Sequence, residues 1–155
     1  MNPFFNSPAR ITALQTTAAA WIGTPFYPNG AIQGHGVSCQ KLVGRIYIES
    51  GWLPETFSIP DADMGWSNAN TQSVVVEAVS SHPDKFAPLI GVQLVPGDLV
   101  GFKIGGCVHH LGIVVDSEGK FIHSLRGYGT TYSYVRDASF LSRLQNTWRP
   151  IDFNL

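Results

Sequence analysis

Cysteine is nearly absent from this sequence: Cys39 and Cys107 are the two in 155 residues. Two cysteines could form one disulfide, but a chain of this size buries enough apolar surface to fold without one. Charge is also scarce. Charged residues make up 14% of the chain, and ten basic against eleven acidic residues leave a formal net charge of −1. No basic surface for nucleic acid or an anionic membrane follows from that balance, which points instead to a peptide, protein or small-molecule partner. Long apolar runs are missing too, so no segment has the roughly 20 residues needed to span a bilayer. The N-terminal stretch MNPFFNSPARITALQTTAAAW has no basic start leading into an unbroken apolar segment, unlike a secretory signal. The expected compartment is the cytoplasm, unless a phage or a secretion system delivers the protein.

What is present fits one globular domain over residues 1–155, with an apolar fraction of 44%. Ser7-Pro8 and Gly23 bracket a first helix whose Ile11, Leu14, Ala18 and Trp21 fall on one face. The Gly- and Pro-rich TPFYPNGAIQGHG reads as a loop. GVSCQKLVGRIYIESGW then predicts a second helix, with Leu42, Val43, Ile46 and Tyr47 at helical spacing and Gly51 as its stop. Residues 53–70 read as an irregular connector; TQSVVVEAVSSHPDKF is ambiguous, its valine run favouring a strand and its ends a short helix, and is read as helix. From Pro96 onward the short β-branched and aromatic segments GDLVGFKI, VHHLGIVVD, KFIHSLRG and GTTYSYV are separated by turns. DASFLSRL reads as a helical turn and NTWRPIDF as a last strand. Helices first and an antiparallel meander afterwards make an α+β domain.

Cys39 lies at the predicted start of the second helix, close to unpaired backbone N–H groups and the positive end of the helix dipole. Cysteine attacks as thiolate, and a helix start or a neighbouring imidazolium favours that form. His109 and His110 sit in one predicted strand, so they point to opposite faces and only one can face Cys39. His109 shares its face with Leu111, Ile113 and Val115 and reads as a packed structural histidine, although a one-residue slip in register would make it, rather than His110, the histidine that serves Cys39 as base. If Asp116 to Gly119 form a four-residue loop, Gly112 opposes His123, and His110 becomes its diagonal neighbour at roughly 7–8 Å. A two-residue turn would separate them. Gly112, beside His110, is expected to leave room for the helix carrying Cys39. His35 and His82 read as loop or helix-end residues, and Cys107 as a structural strand-edge residue. No paired C-x-x-C or H-x-x-x-H unit supports a metal site. Trp66, in an irregular segment, is a possible cleft residue, whereas Trp148 and the tyrosines of RGYGTTYSY read as packing.

In order along the chain, WIGTPFYPNG, GVSCQKLV, LVPGDLVGF, HLGIVV and KFIHS resemble motifs of the NlpC/P60 cysteine peptidases. That resemblance implies a papain-like fold, with a nucleophile helix packed on a C-terminal antiparallel sheet. It implies Cys39 as nucleophile, His110 as base and His123 as the residue orienting it, with no cofactor. The implied substrate is a bacterial cell-wall peptide. Around the cysteine the sequence departs from the family: Ser38 stands for its Asp, Gln40 for its Ser, Lys41 for its Gly, and Phe26, followed by Tyr27, for its Tyr. The family uses those Tyr, Asp and Ser positions to hold a free amine, so Phe26, Tyr27, Ser38 and Gln40 are candidate substrate-binding residues, joined by Trp66 on the strength of its loop alone, and an altered specificity is expected. An acyltransferase or deamidase on the same fold is a second reading. A non-catalytic phage-tail or other assembly component is a third.

Overall fold

The structure is a computed structural model that describes residues 2–62 and 73–154. Ser7 starts the first helix, α1 (Pro8–Trp21): its hydroxyl accepts from the Arg10 N–H at 3.3 Å, with Pro8 in the first turn. The Gly-rich stretch expected as loop holds a minimal antiparallel pair, β1 (Ala31–Ile32) and β2 (Gly36–Val37). It leads directly into α2 (Cys39–Glu49), whose Leu42, Val43, Ile46 and Tyr47 are buried as their spacing predicts. The ambiguous valine run forms α3 (Val74–Ser80). Ser73 decides for helix there, because its hydroxyl accepts from the Val76 N–H at 3.0 Å.

Eight strands follow from the remaining sequence and this short pair: β3 (Phe86–Pro88), β4 (Leu99–Ile104), β5 (Cys107–Val114), β6 (Lys120–Leu125), β7 (Gly129–Tyr134) and β8 (Leu144–Pro150) complete them, with a helical turn α4 (Ala138–Leu141) before the last. The six later strands form one sheet in the order β3-β8-β4-β5-β6-β7, with every pairing antiparallel. Thus β4 to β7 are the expected meander, and β8 returns to the far side of β4. The edge strand β3 carries no alternating pattern in its three residues; pairing with β8 makes it a strand, and no local signal marks it.

Two clusters fill the two faces of the sheet. One joins the helices to the sheet through Leu14, Trp21, Leu42, Ile46, Leu99, Ile113 and Ile122. The other holds Val100, Phe102, Val114, Phe121 and Val135. At one end Trp52 packs edge-on against Tyr47 and Phe86, at centroid distances of 4.8 and 5.0 Å, and its indole donates to the Ile151 carbonyl at 2.9 Å. Asp98, of the Pro-Gly-Asp stretch, is fully buried. Its carboxylate accepts from the Val95 N–H at 2.8 Å and from two guanidinium nitrogens of Arg149, both at 2.9 Å. That aspartate ties the turn before β4 to β8 and is a structural residue.

The β5–β6 connection has the four-residue form. The Val115 N–H donates to Lys120 O at 2.8 Å, and Asp116 Oδ1 accepts from the Glu118 and Lys120 N–H groups. Gly112 does not make room for α2 as expected. A Cβ there would stand 2.6 Å from the Phe121 ring and 3.0 Å from Ile122 O, so its small size lets β6 approach. Gly112→Ala is therefore expected to cost about 1–3 kcal/mol by overpacking, read as a lower urea midpoint. An unchanged midpoint would remove this account of Gly112.

Candidate active site

Cys39 is the first residue of α2 and is 7% exposed. The strand before it is held from the sheet: the buried Ser124 hydroxyl on β6 donates to Val37 O at 2.9 Å, and the Ser38 N–H donates to Gly30 O at 3.1 Å. These bonds fix the chain just ahead of the cysteine. Ser38 occupies the cap position, but its hydroxyl makes no capping bond; it is buried with no hydrogen-bond partner.

The site opens where β5 and β6 part. Beyond Ile113–Ile122 and Val114–Phe121 the two strands no longer pair, although β5 stays paired with β4 as far as Cys107. Between Phe102 and Lys103 the β4–β5 register shifts, with Phe102 opposite His110 and Lys103 opposite Val108. His109 is thus the extra residue of a β-bulge. The Cys39 thiol lies against this stretch, 3.5 Å from His109 O and 3.7 Å from Gln40 Oε1. The bulge corrects the simple alternation expected for the adjacent histidines. His109 is half-buried rather than a core residue, and both histidines line the cavity that Cys39 lines.

His110 and His123 meet as the four-residue loop requires. His110 Nε2 is 2.8 Å from His123 Nδ1, and His123 Nε2 is 2.8 Å from Ser133 Oγ on β7. When His110 Nε2 carries the proton, His123 accepts it in a hydrogen bond at Nδ1 and donates from Nε2 to Ser133. His110 Nδ1 is then left unprotonated, as a base requires. Phe102 and Phe140 rings pack against His110 and His123 respectively, and Phe121 against His123. Burial accordingly pushes His110 down to about 3, helped by the charges of His123 and His109, and His123 down to about 4. Burial also raises the Cys39 thiol above its ordinary value, against smaller opposing bonds from the Leu111, Gln40 and Cys39 backbone. The resting arrangement is a neutral thiol with neutral imidazoles, so a thiolate arises only as its proton is taken.

The cavity has a volume of about 270 Å³. Phe26, Ser38 and Gln40 line it together with Cys39 and His110. Tyr27 does not: it is 65% exposed and packs its Cβ toward Gly30 and Gly36. Trp66 lies outside the described residues. Gln40 Nε2 donates to Asn29 Oδ1 at 2.9 Å, and the same oxygen accepts from the Ala62 N–H at 2.9 Å. Asn29, at φ 56°, is the one non-glycine residue with positive φ among those described, a conformation asparagine tolerates. Sequence reasoning missed Asn29, Ser124 and Ser133. Ser133 could have been found by carrying alternation across the β6–β7 hairpin, where it opposes Phe121 and shares the face of His123, whereas Ser124 points to the other face and bonds a segment distant in sequence. Among the described residues no group of three or more His, Cys, Asp or Glu could hold a metal ion, and no helix is long and apolar enough to cross a membrane.

No protein-family model matches the chain, and no curated protein does. Solved structures do. The chain superposes on a lipoprotein-like NLP/P60-family protein of Staphylococcus aureus with TM-score 0.65 and 18% identity, over 96% of this chain and 44% of that one. A Bacillus cereus NlpC/P60-family protein gives TM-score 0.60 and 19% identity, over 88% of this chain and 39% of that one. The NlpC/P60 domain of the peptidoglycan hydrolase SagA gives TM-score 0.57 and 17% identity, over 88% of this chain and 96% of that domain. The chain therefore has the papain-like fold of NlpC/P60 proteins and spans less than half of two of these three relatives.

The depressed histidines make a stability prediction. Above pH ~6.5 both are neutral whether the chain is folded or not; below it the unfolded chain binds protons that the folded one refuses. Stability should fall as pH falls from 6.5 to 5, by up to about 1.4 kcal/mol per pH unit for each histidine. Urea midpoints across that window check this, and His110→Gln should remove part of the slope. A flat response in the unaltered protein would contradict the neutral pair.

Proposed function

We propose that the protein is a cysteine-dependent hydrolase of peptide or amide bonds, acting on bacterial cell-wall peptides with an altered specificity. The observation that carries this reading is the shared cavity of Cys39 and His110, with the far nitrogen of His110 tied to His123. The fold supports it, since one of the neighbours is a domain of a peptidoglycan hydrolase.

In this reading His110 Nδ1 takes the Cys39 proton as the sulfur attacks the substrate carbonyl. The low basicity of the buried imidazole disfavours a standing ion pair, so the proton leaves the thiol for His110 only as the sulfur attacks. His123 keeps Nε2 of His110 occupied, and Ser133 fixes His123 in turn. The Cys39 backbone N–H, in the first turn of α2, donates to the developing oxyanion. Collapse of the tetrahedral intermediate passes the proton from His110 to the leaving amine and leaves an acyl group on sulfur. Water, deprotonated by His110, then releases the acid.

An acyltransferase would share every step up to the acyl-enzyme and differ only in the acceptor, so product analysis separates the two. Defined cell-wall fragments should be cut by the unaltered protein, with one new carboxyl and one new amine terminus by mass spectrometry. Cys39→Ala should abolish cutting, and His110→Ala should slow it by about 10²–10⁴-fold. Cutting that survives Cys39→Ala, or acyl transfer without hydrolysis, would overturn the hydrolase reading. Delivery to the wall by a phage or a secretion particle belongs to the same proposal.

A further inference from the structure

The cavity shows which of its polar groups remain for a substrate. The Gln40 and Asn29 amides bond to each other and to Ala62, the Ser124 hydroxyl is given to Val37 O, and His110 is bound to His123. Two lining side chains remain unspent among the described residues. One is the Ser38 hydroxyl, 4% exposed and without a partner. The other is the exposed guanidinium of Arg126, which has no ion pair with any described carboxylate. No described residue lining the cavity is a carboxylate. The nearby Asp61 is bound by Lys41 at 2.8 Å, with its own side chain 75% exposed.

We infer that Arg126 and Ser38 determine specificity by selecting a substrate that carries a carboxylate, and no free amine, in the cleft beside Cys39. This rests on the hydrolase reading for what happens after binding, but the selectivity itself follows from the cavity. Arg126 supplies a planar fork of donors that fits a carboxylate, whereas an ammonium there would meet a like charge. Ser38 Oγ gains in the complex the bond it lacks in the free protein, by donating to a carboxylate oxygen or a substrate carbonyl. An acidic residue at position 38 would oppose this; serine does not. A cavity of about 270 Å³ keeps the charge recognised and the bond attacked within one small pocket.

Binding to full-length Cys39→Ala protein tests this without requiring turnover. The probes are acetyl-Ala-Glu-Ala-amide and its Gln counterpart, each with the central residue in L and in D form, measured by calorimetry. The Glu peptide of at least one series should bind about tenfold tighter than its Gln partner, as one charge-assisted contact provides. Arg126→Gln, a change at an exposed side chain, should collapse that ratio toward one, and Ser38→Asp should lower it. Equal binding of Glu and Gln peptides, a ratio untouched by Arg126→Gln, or no binding in either series overturns the inference. Failure of the hydrolase reading looks different: Glu selectivity would persist while the unaltered protein cut nothing.

Discussion

The site depends on an interruption in the sheet. Strands β5 and β6 pair only at Ile113–Ile122 and Val114–Phe121 and then part, while β4 continues to hold β5 along its length. Continued pairing would have used the His109 carbonyl in a ladder bond; the parting leaves it to the Cys39 thiol at 3.5 Å. The backbone groups freed by the parting are replaced by a side-chain bridge, His110 to His123, at 2.8 Å. Gly112 keeps the strands close up to the point of separation, and the bulge at His109 turns the strand just beyond it. One local feature of the β5–β6 pair therefore joins His110 to His123 and leaves the His109 carbonyl for Cys39.

Electrostatically the same arrangement is dry. Aromatic rings on the side of Phe102, Phe121 and Phe140 strip water from the two imidazoles, and the thiol is buried at the first turn of α2. Burial disfavours charge on all three, and the chain of Nε2–Nδ1 and Nε2–Oγ contacts gives the uncharged forms a defined set of donors and acceptors. In the proposed reaction, charge separation is postponed to the attack itself, when the oxyanion and the imidazolium form together. A helix start and an adjacent base were expected to favour thiolate in the free protein; desolvation outweighs them.

Much of this could be read from the sequence because local rules dominate where the site is built. Ser7-Pro8 and the Leu42–Tyr47 spacing define α1 and α2, and Asp116 with Gly119 sets the hairpin that brings His110 to His123. What could not be read depends on contacts distant in sequence. The edge strand β3 exists only through β8. The bulge that brings His109 to the cleft is a mismatch between β4 and β5. Gln40 is tied to Asn29 and Ala62 rather than free for substrate, and Tyr27 turns outward because Gly30 and Gly36 leave room for its base. Motif resemblance pointed to the segments that the fold brings together around Cys39; it could not say which side chains within them stay available.

The central claim is that Cys39 works with His110 as its base. Its most direct measurement is the alkylation rate of Cys39 at pH 7, followed by mass spectrometry with the buried, free Cys107 as internal reference. The account predicts that Cys39 reacts faster than Cys107 and that His110→Ala slows Cys39 by about tenfold or more, leaving Cys107 unchanged. Equal rates for Cys39 with and without His110 would contradict it and leave the cysteine as a packing residue.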